Sequence, residues 1–369
     1  MLKLNVKMKY VLSYMILLIS YNAAIAQQDS LFHNRTLVKL YGLVDVFYCY
    51  DFNRPATAYR QPFFYSYNRH NEFNLNLGLI RFSIDNKKYR GNIALQTGTY
   101  PIDNYAEEPD LLKNIFEATA GVSLSDRHNL WVDAGIFASP IGFESAIAFD
   151  NRTLTRSILA DNSPYYFTGA KVTYIPNDKW MLLAMINNGW QRIKKVEGNS
   201  LPSFGTQLQY TPHITTIINW STFIGTDDPD STRRMRYFNN FYGIFQVNTK
   251  TSITIGIDVG AQQKNKTSSK YNWWYSPVII LHRYLSENWS AAFRVEYYQD
   301  KAGVRIPTET TNGFRTAGLS MNLDYKPANN LICRLEGRWL KSKDDQFVKE
   351  NQLVNDDFFI TTSIAVKLE

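Results

Sequence analysis

The side chains that could do chemistry fall into two sets. The first is small: five histidines and two cysteines in 369 residues. His33 precedes every patterned segment, His70 lies in a long connection, His128 and His213 lie in short turns, and His282 sits near a strand end. None has a serine or an acid nearby in the pattern of an activated nucleophile, so the sequence offers no hydrolytic set. Cys49 and Cys333 lie inside apolar alternation, where an isolated cysteine behaves as a small apolar residue. Two cysteines make neither a disulfide framework nor a thiol-rich metal site, and no cofactor is implied. The second set is large and periodic. Arg334, Glu336 and Arg338 alternate with Cys333, Leu335, Gly337 and Trp339, and Arg294 and Glu296 alternate with Phe293, Val295 and Tyr297. Charges at period two on an extended segment share one face, and that face must be wet or paired. The chemistry to expect is ion ordering.

The elements that position such a face are strands. Sixteen segments of about ten residues alternate in polarity: 37–50, 72–84, 88–99, 115–125, 128–138, 165–176, 179–190, 203–212, 214–225, 234–248, 250–262, 271–285, 287–300, 314–325, 328–341 and 356–368. Thr251 to Val259 is the cleanest, with Ile253, Ile255, Ile257 and Val259 on one side. A change of phase near Gly78 predicts a bulge in the second segment. The connections alternate in length. Asp85-Asn-Lys, Ser125-Asp-Arg and Pro176-Asn-Asp are short, whereas 51–71, 100–114, 139–164 and 342–355 are long. Short turns at one end and long loops at the other are the mark of a transmembrane β-barrel, with the short turns periplasmic. Aromatics gather at both strand ends. Trp180, Tyr210, Tyr284, Trp289 and Tyr325 lie beside short turns, and Tyr48, Tyr165, Tyr166, Trp190, Trp273, Trp274 and Tyr297 lie toward long loops, as two interfacial girdles would. A soluble β-sandwich is the rival, but sixteen segments with alternating connections suit it poorly.

The N-terminus fits export. Lys3, Lys7 and Lys9 precede an apolar run from Tyr10 to Ser20 that closes on Ala24-Ile25-Ala26, the pattern of a signal peptide cleaved after Ala26, and Met8 is a second candidate start. The reading is thus 1–26 signal peptide, 27–36 a short periplasmic segment and 37–369 a barrel. Ten residues before the first strand leave no room for the plug domain of a metal-carrier receptor. No later run approaches the ~20 apolar residues of a membrane helix. The net charge of +7 includes the three leader lysines and is spread along the chain, so nucleic acid is not an expected partner.

The connection from Ser139 to Pro164 is the longest. Asp150 or Asn151 can cap a short helix through about Leu159, before Pro164 returns the chain to strand. Its stretches Ile141-Gly-Phe-Glu-Ser-Ala146, Leu154-Thr-Arg-Ser-Ile158 and Asp161-Asn-Ser-Pro-Tyr-Tyr166, with the opening Tyr41-Gly-Leu-Val-Asp-Val-Phe-Tyr48, resemble the OmpL-like β-barrel porins of Gram-negative outer membranes. The resemblance implies an all-β antiparallel barrel of about sixteen strands in that membrane, forming a water-filled channel for small hydrophilic solutes, and it offers no catalytic residues. In such barrels the third long loop folds into the lumen. The constriction candidates on it are Glu144, Asp150, Arg152, Arg156 and Asp161. If the apolar face points outward, the lumen candidates are Asp45, Arg81, Glu117, Asp133, Lys171, Asp258, Arg294, Glu296, Arg334, Glu336 and Arg338. Acids and bases among them are roughly matched, which predicts weak ion selectivity. The bland alternative is that they are cross-strand ion pairs that stiffen the wall. The partners to expect are outer-membrane lipid and the assembly machinery that inserts barrels. The apolar outer wall suits lipid or a sister barrel equally, so a homotrimer and a monomer both stay open. The chain ends Ile364-Ala-Val-Lys-Leu-Glu369 where porins commonly end in an aromatic, a weaker assembly signal. A sugar- or peptide-specific channel and a barrel enzyme such as a phospholipase are the rival functions.

Overall fold

The computed structural model describes residues 36–368, so the leader, its cleavage site and all but one residue of the short periplasmic segment lie outside the described residues. Alternating residues make extended chain. The strands are β1 Leu37–Asp51, β2 Phe73–Asp85, β3 Tyr89–Thr97, β4 Ile115–Ser123, β5 Leu130–Ala138, β6 Tyr166–Asn177, β7 Trp180–Asn187, β8 Ser203–His213, β9 Thr216–Gly225, β10 Arg236–Gln246, β11 Thr251–Gln263, β12 Tyr271–Tyr284, β13 Trp289–Asp300, β14 Phe314–Ala328, β15 Leu331–Ser342, β16 Phe347–Lys349, β17 Gln352–Val354 and β18 Asp356–Leu368. Sixteen of them close into one antiparallel barrel, each beside its chain neighbours, with β15 passing to β18 and β18 sealing against β1 from Gly42–Leu368 to Asp51–Phe359. The remaining pair, β16 and β17, is a small hairpin in the last long loop that the alternation did not reveal.

Period-two burial sorts the wall into two faces. Along β18 every second residue is buried, and Phe358, Ile360, Ile364 and Val366 stand outward. Along β13 the outward set is Trp289, Phe293 and Val295, while Arg294 and Glu296 point inward. An unbroken apolar exterior is what a lipid-facing barrel needs. Trp180 stacks on Tyr210 at 4.2 Å and Trp289 on Tyr325 at 4.7 Å beside the short turns, while Tyr48 and Phe73 meet at 4.9 Å at the other end.

Four aromatics assigned to the loop-side girdle belong elsewhere. Trp273 is outward and exposed, but Trp274 is inward and packs on Phe238 above the bare Cα of Gly260. Trp190 and Tyr166 are buried among loops, and Tyr165 is half-buried beside Arg156. Neighbouring apolar and aromatic types on a strand cannot say which of two adjacent rings faces in. The expected irregularity in β2 falls next to Gly78: Asn76 and Leu77 are adjacent and both buried, so the alternation changes phase there.

Glycine matters most where β5 approaches β4 and β6 approaches β7. Gly135 and Gly169 are paired across β5 and β6, and a Cβ at Gly169 would lie 1.9 Å from the Ile186 carbonyl. Gly135 also holds φ near +130°, a conformation open chiefly to glycine.

The long loops, L1 to L8 in chain order, are residues 52–72, 98–114, 139–165, 188–202, 226–235, 264–270, 301–313 and 343–355. L2 carries a helix, Thr99–Asn104, and its Tyr100 and the C-capping Tyr105 are buried.

Candidate functional site: the inward-folded loop and its wall

L3 leaves β5 and runs along the inside of the barrel. The Ser221 hydroxyl of β9 donates to the Pro140 carbonyl at 2.8 Å, and the Gly142 N–H donates to Asn240 of β10 at 3.1 Å. Ser145 and Asn151 then tie the next turn reciprocally at 2.7 and 2.8 Å, around a 3-10 turn at Ala148–Asp150. Beyond it the chain bends without forming a helix as far as Ser157, which caps one helical turn, Ile158–Asp161, by accepting from the Ala160 N–H. The helix therefore starts six or seven residues later than the Asn151 or Asp150 caps predicted. Asn151 spends its side chain on Ser145, and Leu154, Thr155 and Ile158 turn their N–H groups onto the wall.

That wall is a lattice of buried charges on β13, β14 and β15. The Glu336 carboxylate accepts from the Thr155 N–H at 2.7 Å and its hydroxyl at 2.8 Å. Glu296 accepts from the Ile158 N–H at 2.7 Å, and Asn322 from the Leu154 N–H at 3.0 Å. Guanidiniums satisfy the loop's carbonyls: Arg294 donates to Thr155 at 2.6 Å, Arg338 to Arg156 at 2.9 Å and Arg334 to Ala148 at 2.6 Å. The same groups pair with one another, Arg294 with Glu336 at 2.7 Å and Arg338 with Glu296 at 2.6 Å, while Arg334 takes Asp324 at 2.8 Å. Charge-assisted bonds of this kind are about twice as strong as neutral ones, and each lattice member has several.

The structure thus divides the sequence candidates. Arg294, Glu296, Arg334, Glu336 and Arg338 face inward but lie beneath L3, none more than 2 % exposed, so they seat the loop and do not meet the lumen. Asp45 is covered by Tyr67 of L1 and Asn76 of β2, which donate to it at 2.5 and 3.0 Å, and Asp258 is covered with Asn240 at 2.6 Å. On the loop, Glu144 is turned onto the Ser157 N–H and hydroxyl, and Asp161 onto Arg156 at 2.9 Å. Arg156 stacks on Tyr165 at 3.8 Å. The candidates that keep contact with open space are Arg81, Glu117, Lys171, Asp150 and Arg152, while Asp133 is buried against Arg90. A balanced pattern at period two cannot tell a wall charge that meets water from one that meets a loop.

Several positively charged residues on the inner face escaped the sequence reading, among them Arg236, which pairs with Asp227 at 2.8 Å. Arg90 shares its face with Asn92, Ala94 and Gln96, a signal that was present, and it forks onto Asp133 at 2.7 and 2.5 Å. Lys367 pairs with Asp150 at 2.5 Å, and Lys326 lies over the Phe149 ring at 5.0 Å.

L1 is a second inserted loop. Arg60 pairs with Asp51 at 3.2 Å and lies 3.6 Å from the Phe359 ring centre, and Phe63 packs on Phe314 and Phe347. L1, L3, L4 and L7 converge at Asn162: its amide donates to the Phe63 carbonyl, its carbonyl accepts from Arg305 at 3.3 Å, and Arg305 lies over Trp190 at 4.8 Å. Beside the first arm of L3 a cavity of about 280 Å³ opens, lined in part by Phe116, Phe143, Tyr165 and Tyr242. Among the described residues no three His, Cys, Asp or Glu side chains come together as metal ligands.

Comparison with known proteins agrees with this architecture. Solved structures that share the fold include the anion-selective porin from Comamonas acidovorans (TM-score 0.61, 8 % identity, 90 % of this chain and 100 % of that one). The outer membrane channel DcaP of Acinetobacter baumannii matches with TM-score 0.61 and 11 % identity over 90 % of this chain and 97 % of that one. OmpT of Vibrio cholerae in its trimer form matches with TM-score 0.58 and 8 % identity over 90 % of this chain and 99 % of that one. No curated protein sequence matches significantly. The family model described as "Putative beta-barrel porin-2, OmpL-like" matches residues 37–368, the whole barrel. The chain belongs to this family and is an outer-membrane β-barrel porin.

Proposed function

We propose that the barrel conducts small hydrophilic solutes passively, through a lumen narrowed by L3 and L1, and that it carries no catalytic activity. The observation that carries the reading is the seat of L3. The backbone of L3 is bonded at Leu154, Thr155 and Ile158 to the buried wall side chains Asn322, Glu336 and Glu296, which supports a constriction held in place. In this reading export uses a signal peptide cleaved after Ala26, and insertion uses the barrel-assembly machinery. The apolar wall then meets outer-membrane lipid or two sister barrels, as the trimer form of a structural neighbour suggests. Liposome swelling with neutral sugars of increasing size tests it: uptake should fall smoothly with size and never saturate. Saturation by one sugar or peptide class would favour a specific channel, for which the aromatic lining of the cavity beside L3 would be the binding surface.

A further inference from the structure

Folding sorts the inner-face charges by sign. The sequence sets acids and bases on that face in near balance, but the acids are the ones that become covered. Asp45, Asp133, Asp258, Glu296 and Glu336 are each 4 % exposed or less, and Glu144 and Asp161 are consumed within L3. Counted over all the described residues, twelve acids are buried against eight lysines and arginines, so more acids than bases are covered. The bases left in contact with open space are Arg81 on β2, Arg90 on β3, Lys171 on β6, Arg152 on L3 and Lys326 on β14. Against them stand three accessible acids, Glu117, Asp150 and, at the turn end of β2 opposite Arg90, Asp85.

Pairing sharpens the bias. Glu117 is taken by Arg81 at 3.3 Å and Asp150 by Lys367 at 2.5 Å. Lys171, Arg152 and Lys326 meet rings or a phenol instead of carboxylates: Lys171 lies over Phe137 at 4.6 Å, Lys326 over Phe149 at 5.0 Å, and Arg152 donates to the Tyr284 hydroxyl at 3.4 Å. Aromatic faces hold a cation in place without cancelling its charge.

We propose that the open passage is a basic strip running between the β2–β6 wall and L3, and that the channel selects small anions. The proposal rests on the reading of the barrel as a channel. Charges lining a narrow lumen act within a Debye length, about 8 Å at physiological salt, and low-dielectric walls focus their field. A mean lumen potential of about one kT would enrich anions and deplete cations by about e-fold each, giving a chloride-to-potassium permeability ratio of about seven.

The test is the reversal potential of the whole barrel in planar bilayers under a potassium chloride gradient at neutral pH. Chloride should be favoured. Lys171→Gln, Arg152→Gln and Lys326→Gln should each lower the ratio, and together they should bring it close to one, whereas Glu117→Gln should raise it. A heat-modifiable gel band checks that each variant is folded. A parent ratio at or below one, or a ratio that the triple variant leaves unchanged, overturns the proposal while conductance itself stands. A folded barrel that conducts nothing overturns the channel reading and this proposal with it.

Discussion

Truncating Glu336 should release L3 from its seat while the barrel stays closed. The carboxylate accepts the Thr155 N–H, the Thr155 hydroxyl and one Arg294 N–H, all between 2.7 and 2.8 Å. Glu336→Ala leaves those donors buried without their acceptor, although Arg294 keeps the Thr155 carbonyl at 2.6 Å and Glu296 at 3.4 Å. Removing one partner of a buried ion pair costs about 3–5 kcal/mol. The β15 backbone still pairs with β14 and β18 along its length, so the cost falls on the docked loop. About 4 kcal/mol lowers the docked-to-undocked ratio roughly a thousandfold. In single-channel recordings the variant should show a larger mean conductance and frequent switching between levels, with an undiminished heat-modifiable band. Glu336→Gln keeps an acceptor for the Thr155 N–H and should fall between the two. Unchanged conductance and noise in the alanine variant would refute the assignment of the loop's seat. Loss of the heat-modifiable band would refute the claim that the lattice serves the loop and not the wall.

Further outcomes follow from other contacts. Arg305→Ala removes the contacts to Asn162 and Trp190 and should widen the extracellular mouth, read as higher conductance with the anion-to-cation ratio unchanged. Gly169→Ala places a Cβ against the Ile186 carbonyl and should abolish assembly, so that no heat-modifiable band forms; normal assembly would contradict the close approach of β6 and β7. L5 should open in acid. Partial burial pushes the Asp228 carboxyl up, but the hydrogen bonds and charge of Arg234 at 2.8 and 2.9 Å outweigh it and hold the group below its ordinary value. A carboxylate depressed in the folded state contributes stability above its unfolded pKa, about 3.9, and loses it as pH falls through the folded value. Proteolysis of L5 should therefore be flat from pH 7 to about 5 and rise below about 4.

The strands were legible because their signal is local. Alternation in β18 or β11 needs no knowledge of any other segment, and turn chemistry sets the ends, so β1 to β15 and β18 fall within a few residues of their predicted bounds. What the loops do was less legible. L3 was assigned to the lumen through a family likeness, and the inward fold of L1 went unseen. Arg60 looks like any loop arginine until Asp51 and Phe359 stand around it. The helix in L3 was misplaced for the same reason, since the backbone at Thr155 and Arg156 bonds to Glu336, Arg294 and Arg338 on the wall in place of helical partners.

The buried lattice also explains why inner-wall charge is a poor guide to pore lining. Loop backbone that crosses a lumen carries unpaired N–H and C=O groups, and each one packed away from water needs a partner. A strand inner face supplies one side chain every second residue, so acids for the N–H groups and arginines for the carbonyls must sit there in alternation. Arg334, Glu336 and Arg338 do this on one strand: Arg334 reaches the Ala148 and Asn151 carbonyls, Glu336 takes Thr155 N–H, and Arg338 reaches the Arg156 carbonyl. Charge balance within such a run is then a requirement of docking and carries no information about the solute. Only the inner-face charges that no loop covers can set selectivity, and in this barrel they are mostly basic.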